Sequence, residues 1–176
     1  DRKKPAHGPP IDLKNAILSF DERTLIMGII NVTDDSFSHD GLKGDNAAAI
    51  QQAKRFVDEG ADILDIGAES TRPGSDPVSE EQELQRTLPL IRQGKRALDI
   101  PVSIDTQKPG VALQAVDAGA DMINDINGLR EEGMPQAAAQ AAVPVIIMHM
   151  QGTPATMQQE PHYDDVVDDI MTFFRA

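Results

Sequence analysis

Five short apolar runs punctuate this chain, and each breaks into a polar segment. They are Leu25 to Val32 (LIMGIINV), Ile63 to Gly67 (ILDIG), Pro101 to Asp105 (PVSID), Asp121 to Ile126 (DMINDI) and Pro144 to Met150 (PVIIMHM). Runs of this length with little alternation predict strands buried on both faces, as in a parallel sheet. Helical spacing fills the intervals. Residues 45–59 put Ala49, Ile50, Ala53, Phe56 and Val57 on one face, and Gly60 stops the helix. Ser79-Glu80-Glu81-Gln82 has the form of a capping box. The helix it opens carries acids in its first turn and Arg92, Lys95 and Arg96 towards its end, as the macrodipole favours, and Pro89 inside it predicts a bend. Pro109 opens a helix that runs to Ala118 and stops at Gly119. Residues 134–142 read as an Ala/Gln helix. Residues 162–176 begin another, with Val166, Val167, Ile170, Phe173 and Phe174 as its apolar side. Residues 1–16, polar and Pro-rich, are expected to be a loosely ordered lead-in.

An internal repeat marks two of the joints. Val57-Asp58-Glu59-Gly60-Ala61-Asp62 recurs as Val116-Asp117-Ala118-Gly119-Ala120-Asp121, each copy ending a helix and starting a strand. Strict alternation of strand and helix implies right-handed βαβ units and a parallel α/β sheet. Two architectures compete, a doubly wound sheet and a TIM (β/α)₈ barrel. Every strand here ends in a polar loop. An open sheet uses only the loops at its switch point, whereas a barrel gathers all its C-terminal strand ends at one mouth. The barrel is therefore favoured. A complete barrel needs roughly 250 residues, and 176 residues with five strands cannot close one. Residues 1–176 are thus expected to be the N-terminal part of a single barrel domain, completed by further chain or by a partner.

Charge narrows the partners. The net charge is −13, from 29 acidic and 16 basic residues, which argues against a nucleic-acid partner, since a phosphate backbone wants a basic stripe. A single Arg and a helix N-terminus can still hold a small anion. The chain has no Cys, which excludes disulfides and thiolate metal sites. No apolar run approaches the roughly 20 residues of a membrane span, and no secretory signal is evident, so a cytoplasmic location is expected.

The polar loops carry the candidate chemistry. Asn31 ends the first strand and offers an amide oxygen to a metal or phosphate; the alternative is a turn-forming Asn. Asp35, Ser36, Ser38 and Phe37 follow it as a candidate lid. Ser70, Thr71 and Arg72 place two hydroxyls beside a guanidinium fork that fits phosphate, although Arg72 could instead pair with Glu69. Asp105 closes an apolar strand and must be satisfied by a neighbour or a ligand. A ring with an N–H beside an NH₂ would offer it two parallel hydrogen bonds, and Asn124 has a donor and acceptor pair for the same ring. Capping is the plainer role for Asn124 and Asp125. A lone His149 between Met148 and Met150 is more often structural than catalytic. The four His show no metal-ligand spacing, and HExxH, GxGxxG, the Walker lysine loop and GxSxG are all absent. From the residues alone, the picture is a barrel mouth for a polar heterocycle, with an anion and a candidate divalent-cation site at one side.

Together, MGIINVTDDSFS at 27–38, GADILDIGAESTRPGS at 60–75, SIDTQKPGVALQAVDAGADMINDINGL at 103–129 and PVIIMHMQGTPATMQ at 144–158 resemble the bacterial dihydropteroate synthases of the pterin-binding family. The match spans most of residues 25–160 in order. It implies a pterin-binding barrel that joins 6-hydroxymethyl-7,8-dihydropterin pyrophosphate to p-aminobenzoate, giving 7,8-dihydropteroate and pyrophosphate. It also implies Mg²⁺, inhibition by sulfonamides and a homodimer. By motif position, Asn31 helps bind the metal–pyrophosphate, Thr71 and Arg72 hold the pyrophosphate, and Asp105 and Asn124 hold the pterin ring. Met148 packs in the ring's pocket, while Phe37 and Pro73 wall the aminobenzoate site. Asp35, His39 and Asp40 are the loop's acid–base candidates. Asp34 stands where the family has Pro, and His39 where it has its second Asp. The family's later motifs, an Asp, a Ser-Arg-Lys lysine and an Arg-x-His pair, do not occur in this sequence. A methyltetrahydrofolate-binding methyltransferase barrel would share Asp105 and Asn124 but has no use for Ser70-Thr71-Arg72-Pro73-Gly74. A non-catalytic truncated barrel is the third possibility.

Overall fold

The computed structural model describes residues 8–32, 45–69, 78–154 and 156–175. A two-residue hairpin, β1 (Ile11–Asp12) and β2 (Ile17–Leu18), comes first, so the lead-in is partly ordered. Strands β3 (Met27–Asn31), β4 (Ile63–Gly67), β5 (Val102–Asp105), β6 (Met122–Asp125) and β7 (Val145–Ile147) then alternate with helices α1 (Asp45–Asp58), α2 (Glu80–Ala97), α3 (Pro109–Ala118) and α4 (Met134–Ala141). Helix α5 (Val166–Arg175) closes the series. The last predicted strand is cut from seven residues to three, and the last predicted helix begins four residues later than expected.

The five strands form one parallel sheet in the order β3-β4-β5-β6-β7. Strictly sequential order has no switch point, which removes the doubly wound alternative. The two faces are covered differently. Ile30, Leu64, Ile66, Val102, Ile104 and Ile123 pack against helical residues such as Ile50, Leu90, Ile91, Val111 and Met134, forming the main core. On the opposite face the hairpin's Leu13 and Leu18 meet Ile63 and Met122 near the N-terminal strand ends. Helices on one face and a hairpin plug on the other make an arc of consecutive βα units, an α/β arrangement consistent with part of a TIM barrel.

Local signals explain the joints. Ser79 caps α2 reciprocally with Gln82, as its capping box predicts. Helix α2 continues through Pro89. Gly119 ends α3 at φ 118°, a left-handed conformation that costs glycine little.

One expectation fails on β3. Its apolar run predicts burial on both faces, yet Ile29 is 56% exposed. Strand β3 is the edge of a five-stranded sheet, and above the hairpin the face that Ile29 shares has no helix layer. Ile26 and Ile147, at the two edges of the sheet, are also exposed, although their parity puts them on the helix-covered face.

Both copies of the sequence repeat act as latches at the N-terminal strand ends. Asp62 accepts the Ile26 backbone N–H at 2.8 Å and pairs with Arg23. Asp121 accepts the Val102 N–H at 2.9 Å and pairs with Lys95 at 2.8 Å. In each case a carboxylate starting one strand satisfies an amide near the start of its neighbour.

Candidate functional site

Register aligns the polar strand ends. Asn31 lies opposite Gly67, Gly67 opposite Asp105, Asp105 opposite Asn124, and Asn124 opposite Ile146. Residues in one register row of a parallel sheet point to the same face. One layer below, Ile29, Asp65, Ser103 and Met122 form a second row on that face. Alternation sets Met148, half-buried just past β7, above Ile146. Asn31, Asp105, Asn124 and Met148, all picked from sequence, therefore share the helix-free face at its C-terminal rim.

Gly67 makes room in this row. A β-carbon there would lie 3.2 Å from Asp105 Cβ and 3.3 Å from Oδ2, so its absence lets the carboxyl lie across β4. The half-buried Asp105 carboxyl has no hydrogen-bond donor among the described residues. Burial, then repulsion from Asp65, Glu83, Asp125 and Glu69, pushes it up to about 7. Asp65 is buried, and burial raises it too, with the adjacent Ser103 hydroxyl and the Asn124 amide offsetting part of the rise. Asn124 Nδ2 donates to Asp65 Oδ2 at 3.0 Å. Asp65 Oδ1 and Ser103 Oγ are buried without a hydrogen bond of normal geometry. The layer thus has acceptors to spare and too few donors, which suits a ligand rich in N–H groups.

Acids continue around the rim. Lys108 donates to Glu69 Oε2 and, at 2.6 Å, to Glu83 Oε2. Burial would lower the Lys108 ammonium, but hydrogen bonds to Glu69 and Glu83 and their charges outweigh it and hold it above its ordinary value. Glu69, Glu83, Asp105, Thr106, Gln107, Ile126 and Pro154 line a cavity of about 30 Å³, room for about one water.

Other candidates prove structural. Asp125 closes a turn and does not cap a helix: it accepts the Asn127 and Leu129 N–H groups, both at 2.8 Å, and α4 begins only at Met134 after Gly133. His149 packs edge-on to Phe173 at 4.9 Å between ring centroids and tilts against Tyr163 at 5.8 Å. Asp35, Phe37, His39, Asp40, Thr71, Arg72 and Pro73 lie outside the described residues. No group of three or more His, Cys, Asp or Glu among the described residues is arranged to hold a metal.

The family model for "Pterin binding enzyme" matches residues 27–176. The chain belongs to the pterin-binding enzyme family. Among its relatives, a dihydropteroate synthase from Synechocystis is 46% identical over 169 residues, 96% of this chain and 58% of that protein. The crystal structure of the Yersinia pestis dihydropteroate synthase with a sulfonamide drug superposes with a TM-score of 0.86 at 43% identity, covering 95% of this chain and 60% of that one. The Xanthomonas albilineans dihydropteroate synthase in complex with 7,8-dihydropteroate gives 0.78 at 42% identity, covering 95% and 58%. The chain therefore spans somewhat more than half the length of the relatives it matches.

Asp65, Ser103, Glu83 and Lys108 are not among the residues that the sequence of this family member singles out. Asp65 carried a usable signal, since it shares parity with Gly67 inside an apolar strand. Glu83 and Lys108 carried none. Their contact joins a helix to a distant turn, 25 residues apart in the chain.

Proposed function

We propose that this chain is the pterin-holding part of a dihydropteroate synthase, with residues 1–176 forming the first five βα units of one (β/α)₈ barrel domain. The complete enzyme would condense 6-hydroxymethyl-7,8-dihydropterin pyrophosphate with p-aminobenzoate, giving 7,8-dihydropteroate and releasing pyrophosphate. The observation that carries this is the row Asn31, Gly67, Asp105, Asn124, in which a donor-less carboxyl and an amide sit side by side over a glycine gap. The names of the relatives and their bound sulfonamide and 7,8-dihydropteroate support the same chemistry. Ser70-Thr71-Arg72 supports a pyrophosphate substrate over a methyl-transfer one.

In this reading Asp105 accepts two N–H bonds from the pterin's amidine-like edge. Those bonds favour the ionised carboxylate and oppose the burial that raises it. Asn124, held by Asp65, turns its remaining donor and acceptor capacity to the ring. Met148 packs against the ring, Thr71 and Arg72 hold the pyrophosphate, and Phe37 and Pro73 wall the aminobenzoate. Asn31 would contribute a neutral amide oxygen to Mg²⁺, with phosphate oxygens supplying most of its shell, a usual arrangement for that ion. When bound, Mg²⁺ would neutralise charge on the departing pyrophosphate. Departure leaves a cationic pterin methylene that a fixed acidic shell stabilises. The attacking aromatic amine needs no strong base, so Asp35, His39 and Asp40 are required for closure and proton handling at most. Sulfonamide sensitivity, a homodimer of the complete protein and a cytoplasmic location complete the proposal.

Calorimetry with 7,8-dihydropteroate tests it. Wild-type chain is expected to bind and Asp105→Asn to lose binding; equal affinity in both would overturn it. In the complete protein, Arg72→Ala should raise KM for the pterin pyrophosphate far more than for p-aminobenzoate, and equal effects would remove the pyrophosphate role.

A further inference from the structure

The acidic rim holds an ion triad that the ligand-facing row does not explain. Lys108, in the turn after β5, bridges Glu69 at the end of β4 and Glu83 on α2. The Glu83 side chain is 1% exposed. Its Oε1 is buried with no hydrogen-bond partner, and Glu83 lines the same cavity as Asp105 and Glu69. A carboxylate so placed is costly unless a cation accompanies it. One ammonium here serves two acids, and the pair borders a third carboxyl that has no donor.

The charges around Asp105 can be named element by element. Asp65 and Glu69 come from β4 and its end, Glu83 from α2 and Asp125 from β6, and all four push the carboxyl in the same direction. Arg86, three residues beyond Glu83 on α2, donates to the Ala68 carbonyl at 3.2 Å. Lys108 is the cation that hydrogen-bonds directly to two of the four acids.

We propose that Lys108 is a positioning residue for ligand recognition: by neutralising Glu69 and Glu83 it keeps Asp105 available as a carboxylate, and so sets the pH range over which the pocket accepts an N–H pair. The coupling rests on the triad's geometry; the identity of the ligand rests on the pterin reading above. Without Lys108, the repulsion that Glu69 and Glu83 already exert would lose its nearest counter-charge and grow, on a carboxyl that burial already raises. Asp105 would then stay protonated to higher pH, present a donor where an acceptor is needed, and bind weakly near neutrality.

A carboxyl-detected NMR titration of the ligand-free chain tests the coupling, with the Asp105 signal assigned by its loss in Asp105→Asn. Lys108→Met should raise the Asp105 midpoint by roughly one unit, a tenfold change in proton affinity. Glu83→Gln should lower it, and Lys108→Arg should leave it in place. The double variant Lys108→Met/Glu83→Gln removes one charge of each sign and should return the midpoint towards wild type. It also keeps the test open if Lys108→Met alone fails to fold. An unmoved midpoint in Glu83→Gln, or in folded Lys108→Met, overturns the proposal, because a merely structural ion pair would change stability alone. Calorimetry with 7,8-dihydropteroate is the second arm. Lys108→Met should bind about fivefold more weakly at pH 7, where half of wild-type Asp105 is already protonated, and recover at pH 9. If the midpoints move as stated but wild type binds no 7,8-dihydropteroate, the coupling stands and the pterin reading falls. If wild type binds while the midpoints stay fixed, the pterin reading stands and Lys108 has no positioning role.

Discussion

Asn124 Nδ2 reaches Asp65 Oδ2 at 3.0 Å across an intervening strand, since β4 and β6 are separated by β5. This bond fixes the amide by engaging one donor and leaving Oδ1 for a ligand. It also gives Asp65 one of the two polar neighbours that offset its burial.

Asp65 variants should separate these effects. Asp65→Asn keeps an acceptor for Asn124 and removes a carboxyl whose ionised form burial disfavours, so its stability should equal or exceed wild type at pH 8. Asp65→Ala orphans a partly buried amide, and its stability should fall by about 1–3 kcal/mol. Urea denaturation of both variants checks the pair. A less stable Asp65→Asn would mean that Asp65 is held as a charged partner.

The raised Asp105 makes stability fall as pH rises. Its folded value of about 7 lies above the unfolded 3.8, so the folded chain binds the extra proton between these pH values. The cost is absent below about pH 4, grows through this window and is complete above about pH 7. Three units correspond to about 4 kcal/mol, an upper bound because the neighbouring acids titrate together. Asp105→Asn should therefore be more stable than wild type by about 2–4 kcal/mol at pH 8 and nearly equal to it at pH 4. Denaturation midpoints at the two pH values decide the matter.

Gly67 should be intolerant for the ligand before it is intolerant for the fold. The Gly67→Ala methyl would sit 3.2 Å from Asp105 Cβ, closer than ordinary packing allows. The carboxyl must shift by a few tenths of an ångström, which is enough to misalign paired hydrogen bonds. Affinity for 7,8-dihydropteroate is expected to drop about tenfold or more, while stability changes by about 1 kcal/mol or less. Calorimetry beside a urea curve reads both, and unchanged affinity would show that Asp105 does not contact the ligand from this position.

Much of this was legible in the sequence because strand, cap and stop signals are local. Ser79 and Gln82 sit within one turn, Pro109 to Gly119 bounds α3, and the apolar runs mark all five parallel strands. The site was partly legible because a polar residue ending an apolar strand is conspicuous, which led to Asn31, Asp105 and Asn124. Depth within the sheet was not legible. Asp65 and Ser103 look like ordinary strand residues until register puts them under the row, and the spare acceptors there arise only from the packing. Ile29 misled for the opposite reason, since its exposure depends on which elements cover the edge strand and not on its own run.

The repeated Gly-Ala-Asp at 60–62 and 119–121 predicts unequal costs for equivalent substitutions. Asp121 is 5% exposed, and it holds both the Val102 amide and Lys95. Asp121→Ala strands a buried N–H and a part-buried ammonium, so a loss of about 2–4 kcal/mol is expected. Asp62 sits at the hairpin end opposite an Arg23 side chain that is 58% exposed. Solvent screens that pair, so Asp62→Ala should cost about 1–2 kcal/mol, mostly through the Ile26 amide. Both latches lie at the N-terminal strand ends, away from the ligand-facing row, so neither change should alter affinity for 7,8-dihydropteroate in folded protein. Urea denaturation of the two variants with calorimetry on each provides the check. Equal costs would mean that burial does not govern these latches, and weakened binding would mean that strain passes along β5 from Val102 to Asp105.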